Sequence, residues 1–376
     1  MSSETLPDDI LRIWIHKKIS LVSKRWLLVW RKKVNSLFWC YESMNSDGVQ
    51  SLLQNIRYLS MTTQIDLTCL PNLQSLTILM PNEKVEFTFL TNLTELQVDN
   101  RYVTGNMIKH MTQLRSLGLR GYANSLLTPV SCLTNLEKVT LRGCDNNGVV
   151  KSLEKFPKLV DLSMENIRIW NVLYYQTNIN LTRLSVSYCD YPVAILNQTA
   201  RLANLTLLRI SHSSCFSIDF LSTLTNLTEL HYKDIPTWPM RVLQHLPNLT
   251  YINLNSTAID LQHQTQLQRL YITNIRDRNF NFCTNLKHLR IGVHGREFSR
   301  EFSRKLCDLT GLTSLSICDS DQGHVEVSSL TKLTALTRLK LFSSVIRFDD
   351  LTPYLTNLRR LIRGQCKVTN SNIFDD

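Results

Sequence analysis

Eight residues in the last third of the chain have the chemistry of a recognition surface: Tyr251, Arg269, Tyr271, His288, Arg290, Arg338, Lys340 and Arg360. A guanidinium offers a fork of donors that matches a carboxylate or a phosphate, and tyrosine adds a large, stiff contact with a polar tip. Each of the eight occupies one of two fixed slots in a recurring nine-residue word. In the copy LTNLTELQV, Leu90 to Val98, those slots hold Glu95 and Gln97.

The word reads Leu-x-x-Leu-x-x-Leu-x-Val/Ile/Leu. It recurs at Leu70 to Ile78, Leu133 to Leu141, Leu202 to Ile210, Leu224 to Tyr232, Leu246 to Leu254, Leu309 to Ile317 and Leu333 to Leu341, with weaker copies between. Its last two apolar residues alternate with single polar ones, the period of a strand with one buried face. One short strand cannot bury its leucines alone, so neighbouring units must stack. Leu-Thr-Asn or Leu-Pro-Asn turns the chain into each strand.

The second strand anchor falls at Leu59, Leu76, Leu96, Leu117, Val139, Leu162, Leu184, Leu208, Leu230, Ile252, Leu270, Leu289, Leu315, Leu339 and Leu361. Those fifteen anchors are spaced by 17 to 26 residues, within the leucine-rich-repeat range. The expected fold is α/β: a leucine-rich-repeat solenoid over residues 50 to 376, about 15 repeats long. A curved parallel sheet lines its concave face, short helices or irregular segments form the convex face, and a short α-helical segment precedes it.

The residues alternating with the leucines face solvent on the concave side. Those slots are small in the early units (Ser75, Thr77, Ser116, Gly118) and large and basic or aromatic in the late ones. Adjacent strands should then set Tyr251, Arg269, Tyr271, His288 and Arg290 side by side, with Arg338, Lys340 and Arg360 beyond. Two readings are open: a binding site for an acidic or phosphorylated protein segment, or the polar coating that any exposed strand face needs.

Residues 1 to 50 do not fit the repeat. Thr5 can cap a helix that begins Leu6-Pro7-Asp8-Asp9-Ile10-Leu11, with the proline in its first turn and acids near its positive end. A second amphipathic stretch runs from Ile19 to Trp30, with Leu21, Val22, Trp26, Val29 and Trp30 at helical spacing. LPDDIL followed by ISLVSKRW resembles the F-box, a motif that commonly precedes leucine-rich repeats. The 20 steps from Leu6 to Trp26 are several fewer than that family's pattern has.

The F-box resemblance implies that residues 4 to 40 bind the adaptor subunit of a cullin-RING (SCF-type) ubiquitin ligase, through Leu6, Pro7, Ile10, Leu11, Leu21, Val22 and Trp26. The solenoid would then be the substrate-recognition part. The other reading of the same segment is a helical cap that closes the first repeat of a stand-alone scaffold or adaptor.

Composition narrows the classes further. With 43% hydrophobic and 19% charged residues the chain is expected to be ordered. No run of about 18 apolar residues is present and the N-terminus carries Glu4, Asp8 and Asp9, so neither a membrane span nor export is expected, and the location is cytoplasmic or nuclear. The net charge of +11 is concentrated unevenly, with eight basic residues and no acid from Arg12 to Lys33, which is weak support for a nucleic-acid partner.

The ten cysteines contain no C-x-x-C pair and are expected to be reduced and mostly buried. Cys144, Cys189 and Cys366 follow the second strand anchor of their units by about one strand's length. They resemble the small polar residue of cysteine-containing leucine-rich repeats, and that resemblance makes them structural. The Asn-Leu-Thr sequons at Asn92, Asn204, Asn226 and Asn248 belong to the repeat consensus and are read as unglycosylated. Arg296 to Arg304 duplicates the word Arg-Glu-Phe-Ser and places Phe298, Phe302 and Leu306 at helical spacing, a convex helix. No phosphate loop, metal-ligand spacing or nucleophile motif is found, so no enzyme, cofactor or metal is expected.

Overall fold

The computed structural model describes residues 36–39, 57–61, 67, 70, 72–79, 89–99, 105–121, 132–143, 155–167, 180–189, 202–212, 219–233, 241–255, 261, 263–273, 283–293, 305–319, 330–342 and 353–363. The chain divides into two compact units, Met1–Leu181 with Tyr188–Tyr191, and Thr182–Ser187 with Pro192–Asp376.

The first unit holds seven parallel strands in chain order: β1 Ser36–Trp39, β2 Tyr58–Met61, β3 Ser75–Ile78, β4 Glu95–Asp99, β5 Ser116–Arg120, β6 Lys138–Arg142 and β7 Asp161–Glu165. The second holds nine: β8 Arg183–Ser187, β9 Leu207–Ser211, β10 Glu229–Tyr232, β11 Tyr251–Asn255, β12 Arg269–Thr273, β13 His288–Val293, β14 Ser314–Asp319, β15 Arg338–Phe342 and β16 Arg360–Arg363.

Every neighbouring pair within a unit is in the same register, anchor against anchor. In the first unit Leu59, Leu76, Leu96, Leu117, Val139 and Leu162 lie in one row, all buried. In the second unit the row runs from Leu184 through Leu339, again buried, and ends at Leu361 on β16, which is 39% exposed. The preceding leucines of the word, such as Leu224 and Leu227, are fully buried behind the strands.

Connections behind the strands are tight. Three-residue backbone turns such as Leu227 N to Leu224 O at 3.0 Å recur in unit after unit. Two 3-10 segments, Asp219–Thr223 and Arg241–His245, and one single-turn helix, Gly105–Ile108, are the longest helical pieces among the described residues.

Threonine and asparagine in the word have a partner that its spelling does not announce. In the second unit Thr206 O accepts from Thr228 N (2.9 Å), Glu229 N (2.9 Å) and Thr228 Oγ1 (3.1 Å), so one carbonyl ties down the start of the next strand. The same threonine bond links Thr250 to Thr228 O and Thr337 to Thr313 O. Asparagine does likewise: Asn226 Nδ2 donates to Ala203 O at 2.7 Å and Asn248 Nδ2 to Thr225 O at 3.0 Å. The sequon amides at Asn226 and Asn248 are thus committed to the backbone of the preceding repeat.

One strand was not foreseen. Ser36–Trp39 pairs in parallel with β2, Leu37 against Leu59, within the stretch that the sequence reading gives to the N-terminal segment. The segment bearing Leu6, Pro7, Ile10, Leu11, Leu21, Val22 and Trp26 lies outside the described residues, as do Cys144, Cys366, Phe298 and Phe302. Of the duplicated stretch's helical pattern, Leu306 is described and is fully buried.

The cysteine expectation needs one correction. Cys189 and Cys283 are buried thiols that donate to Met164 O and Leu261 O, and neither they nor Cys132 and Cys307 are disulfide-bonded. Cys318 on β14 is disulfide-bonded. Cysteine spacing alone carried no sign of that bridge, since pairing is set by which loops the fold brings together.

Candidate recognition face

Alternation along each strand sends one set of side chains to the core and the other to the open face. On β12 the pattern is plain: Leu270 and Ile272 are buried, Arg269 is exposed and Tyr271 half-buried. The common register then turns each slot into a row across the sheet.

In the first unit the face carries small residues and mixed charge. Ser75 Oγ donates to Glu95 Oε2 at 3.1 Å, and Lys138 Nζ lies 3.8 Å from Asp161 Oδ2 on the neighbouring strand. These solvated contacts contribute little energy, but they pair unlike charges locally.

The second unit differs. One row reads Glu229, Tyr251, Arg269, His288, Ser314, Arg338, Arg360. The other reads Arg209, His231, Asn253, Tyr271, Arg290, Ser316, Lys340, Ile362. All eight residues picked out from the sequence lie on this face. Tyr251, Arg269, Tyr271, His288 and Arg290 are on three consecutive strands; Arg338, Lys340 and Arg360 are set apart from them by β14, which offers only Ser314 and Ser316. No acidic residue occupies either slot on β12 to β16.

An aromatic cluster closes one end of the face. The ring of Tyr251 sits between His231 (centroids 4.6 Å apart, planes at 83°) and Tyr271 (5.2 Å, 78°), both edge-to-face. That geometry suits the ring quadrupoles and fixes Tyr251 from two sides. Burial, then the Tyr271 hydroxyl, push the Tyr251 phenol up to about 12, with the Asn253 hydrogen bond and Arg209 opposing. It is a neutral donor at physiological pH.

His231 is the residue that sequence reasoning passed over. It stands in the same slot as Tyr271, two strands away, and a histidine between other polar residues gives no sign of burial. Burial first, then Arg209 and Lys233, lower its pKa to about 4. Glu229 Oε2 is 3.8 Å from its Nε2, yet a neutral imidazole makes no ion pair there, and Nε2 is buried without a hydrogen-bond partner among the described residues. We therefore read it as a neutral packing ring. The pKa of His288 is lowered too, by burial and then by Arg269 and Arg338, which records the positive potential on that part of the face.

Among the described residues, no group of three or more His, Cys, Asp or Glu is placed to hold a metal ion, and no helix is long and apolar enough to cross a membrane.

No protein-family model matches the chain, and no curated protein matches it. Solved structures do. A leucine-rich-repeat protein of Leptospira interrogans is 17% identical, with a TM-score of 0.58, over 90% of this chain and 92% of that one. An internalin of Listeria monocytogenes is 18% identical over 90% and 88%, with a TM-score of 0.46. A TLR13–ssRNA13 complex is 21% identical over 90% and 52%, with a TM-score of 0.48. The Leptospira likeness, joined to the repeated parallel register, shows that the fold is a leucine-rich-repeat solenoid.

Proposed function

We propose that the chain is a protein-interaction module, not an enzyme, and that the β11 to β16 face of its second unit holds an acidic segment of a protein partner. What carries the reading is the register that sets Tyr251, Arg269, Tyr271, His288 and Arg290 on adjacent strands. Aromatic and arginine side chains dominate binding energy at interfaces, and a face without acids steers and retains an anionic segment. The edge-to-face seating of Tyr251 also favours protein over single-stranded nucleic acid, because a base needs an open ring face to stack on.

The finer reading makes this module the substrate-recognition subunit of a cullin-RING ubiquitin ligase. In it, residues 4 to 40 dock on the adaptor through Leu6, Pro7, Ile10, Leu11, Leu21, Val22 and Trp26, and residues 50 to 376 hold the target. The rate gain is proximity, since the chemistry belongs to other subunits, and the chain works in the cytoplasm or nucleus. The Cys318 disulfide weighs against a strictly reducing compartment. A specific observation favours the stand-alone scaffold: β1 extends the sheet ahead of β2, so part of the N-terminal segment serves the array itself.

Capture of the purified ligase adaptor by the full chain separates these readings. Capture that is lost in Leu6→Asp and Trp26→Ala supports the receptor; failure of the intact chain to capture the adaptor removes it and leaves the scaffold. For the face, Arg269→Glu with Arg290→Glu should abolish binding of an acidic peptide, and retained binding would remove the proposed site.

A further inference from the structure

Across β12 to β16 the open face is not uniformly filled. β14 presents Ser314 and Ser316 in its two central slots, while β13 presents His288 and Arg290 in the same register and β15 presents Arg338 and Lys340. Short side chains flanked by Arg290 and the His288 ring on one side and by Arg338 and Lys340 on the other leave a trough along β14. At a strand spacing of about 4.8 Å, its walls are about 10 Å apart at the Cα level.

Ser316 shows how the walls are disposed. It lies on the solvent side of the sheet, yet it is only 8% exposed. Its row neighbours, Arg290 and Lys340, are half-buried despite their length. Ser314, in the parallel row, has Arg338 on one side and His288 on the other.

We propose that β14 is a phosphate subsite, in which the phosphate of a phosphorylated serine or threonine in the partner segment sits over Ser314 and Ser316, held between Arg290 and Lys340 with Arg338 alongside. This rests on the acidic-segment reading above and sharpens it. A carboxylate has two oxygens close together and can engage one wall of the trough. A phosphate has three terminal oxygens and a charge of nearly −2 at neutral pH, so it accepts from both walls at once, with the half-buried Ser314 hydroxyl able to donate from the floor. The lowered pKa of His288 agrees, since Arg269 and Arg338 already concentrate positive potential there.

The test uses the full chain and two fluorescent pentapeptides: acetyl-Glu-Glu-phosphoserine-Glu-Glu-amide, and the same sequence with aspartate at the centre. The expected result is that the phosphopeptide binds at least about tenfold more tightly, the worth of one additional charge-assisted hydrogen bond. In Lys340→Met that preference should fall toward unity, the phosphopeptide losing more affinity than the aspartate peptide. Ser316→Glu, which brings a carboxylate into the trough, should do the same.

Equal binding of the two peptides, both lost in Arg269→Glu/Arg290→Glu, overturns the phosphate subsite and leaves the acidic-segment reading standing. Binding of neither peptide overturns both. If a ten-nucleotide single-stranded RNA binds more tightly than the phosphopeptide and is lost in Tyr251→Ala/Tyr271→Ala, the subsite is overturned in favour of a nucleic-acid partner.

Discussion

His231 meets the ring of Tyr251 edge-on, 4.6 Å between centroids and 83° between planes, so a titratable side chain serves here as an aromatic packing element. The packing depends on the imidazole staying neutral. Its pKa falls from 6.5 to about 4 on folding.

An imidazole whose pKa drops on folding binds fewer protons in the folded state than in the unfolded one. Stability is therefore complete above pH 6.5, declines as pH falls from 6.5 toward 4, and levels off below. For His231 the loss is at most on the order of 3 kcal/mol, and His288, shifted the same way, adds to it. Urea unfolding at pH 7.5 and pH 4.5 measures the slope. His231→Phe keeps a ring against Tyr251 and removes the proton; it should flatten the slope, and an unchanged slope would sink this account.

Gln264 stands where other units place leucine. It is 1% exposed; its Nε2 donates to Leu243 O at 2.5 Å, and its Oε1 is buried without a hydrogen-bond partner among the described residues. Leu243 O already accepts from Leu246 N at 2.9 Å, so losing the side-chain donor orphans nothing. Gln264→Leu should therefore raise stability by about 1 kcal/mol, because desolvating an unpaired amide oxygen costs more than one redundant bond contributes. A lower melting temperature in this variant would contradict that balance.

The residue that follows each of β5 to β9 is left-handed: Gly121 (φ 98°), Gly143 (62°), Asn166 (52°), Tyr188 (52°) and His212 (48°). A Cβ on Gly143 would meet nothing nearer than Gly121 N at 3.9 Å, so a substitution there isolates the backbone cost. Gly143→Ala should cost about 1 to 2 kcal/mol, and Gly143→Asn less, since asparagine visits this region more readily. Thermal melts of the three proteins should rank glycine, asparagine, alanine; an alanine variant as stable as the parent would refute the strain argument.

The leucines made the scaffold readable in advance, because alternation and repeat length are properties of sequence alone. Leu59 through Leu361 each stand on a strand, and the eight face residues follow from counting one position to either side of these anchors. Four things were not readable. Ser36–Trp39 is a strand only because β2 offers it an edge. The depth of His231 depends on Tyr251 lying over it from the next strand, and the bridge at Cys318 depends on a loop closure; both are set by packing between distant residues. The trough on β14 was hidden in a different way. Ser314 and Ser316 are unremarkable in their own unit and become distinctive only between Arg290 and Lys340.

The threonine and asparagine bonds have a consequence for how such a chain can change. Each donor, Thr228 or Asn248 for example, asks its predecessor for a backbone carbonyl and never for a particular side chain. Any unit can therefore follow any other. Whole units can be duplicated, lost or exchanged without renegotiating their joints, while the two outward slots vary independently of the joints and of one another. A late stretch dense in arginine and an early one dotted with serine and threonine can share one assembly rule, and for these side-chain bonds the dependence runs one way: removing a unit from the front strands the threonine and asparagine donors of the next, whereas removing one from the back strands none of them.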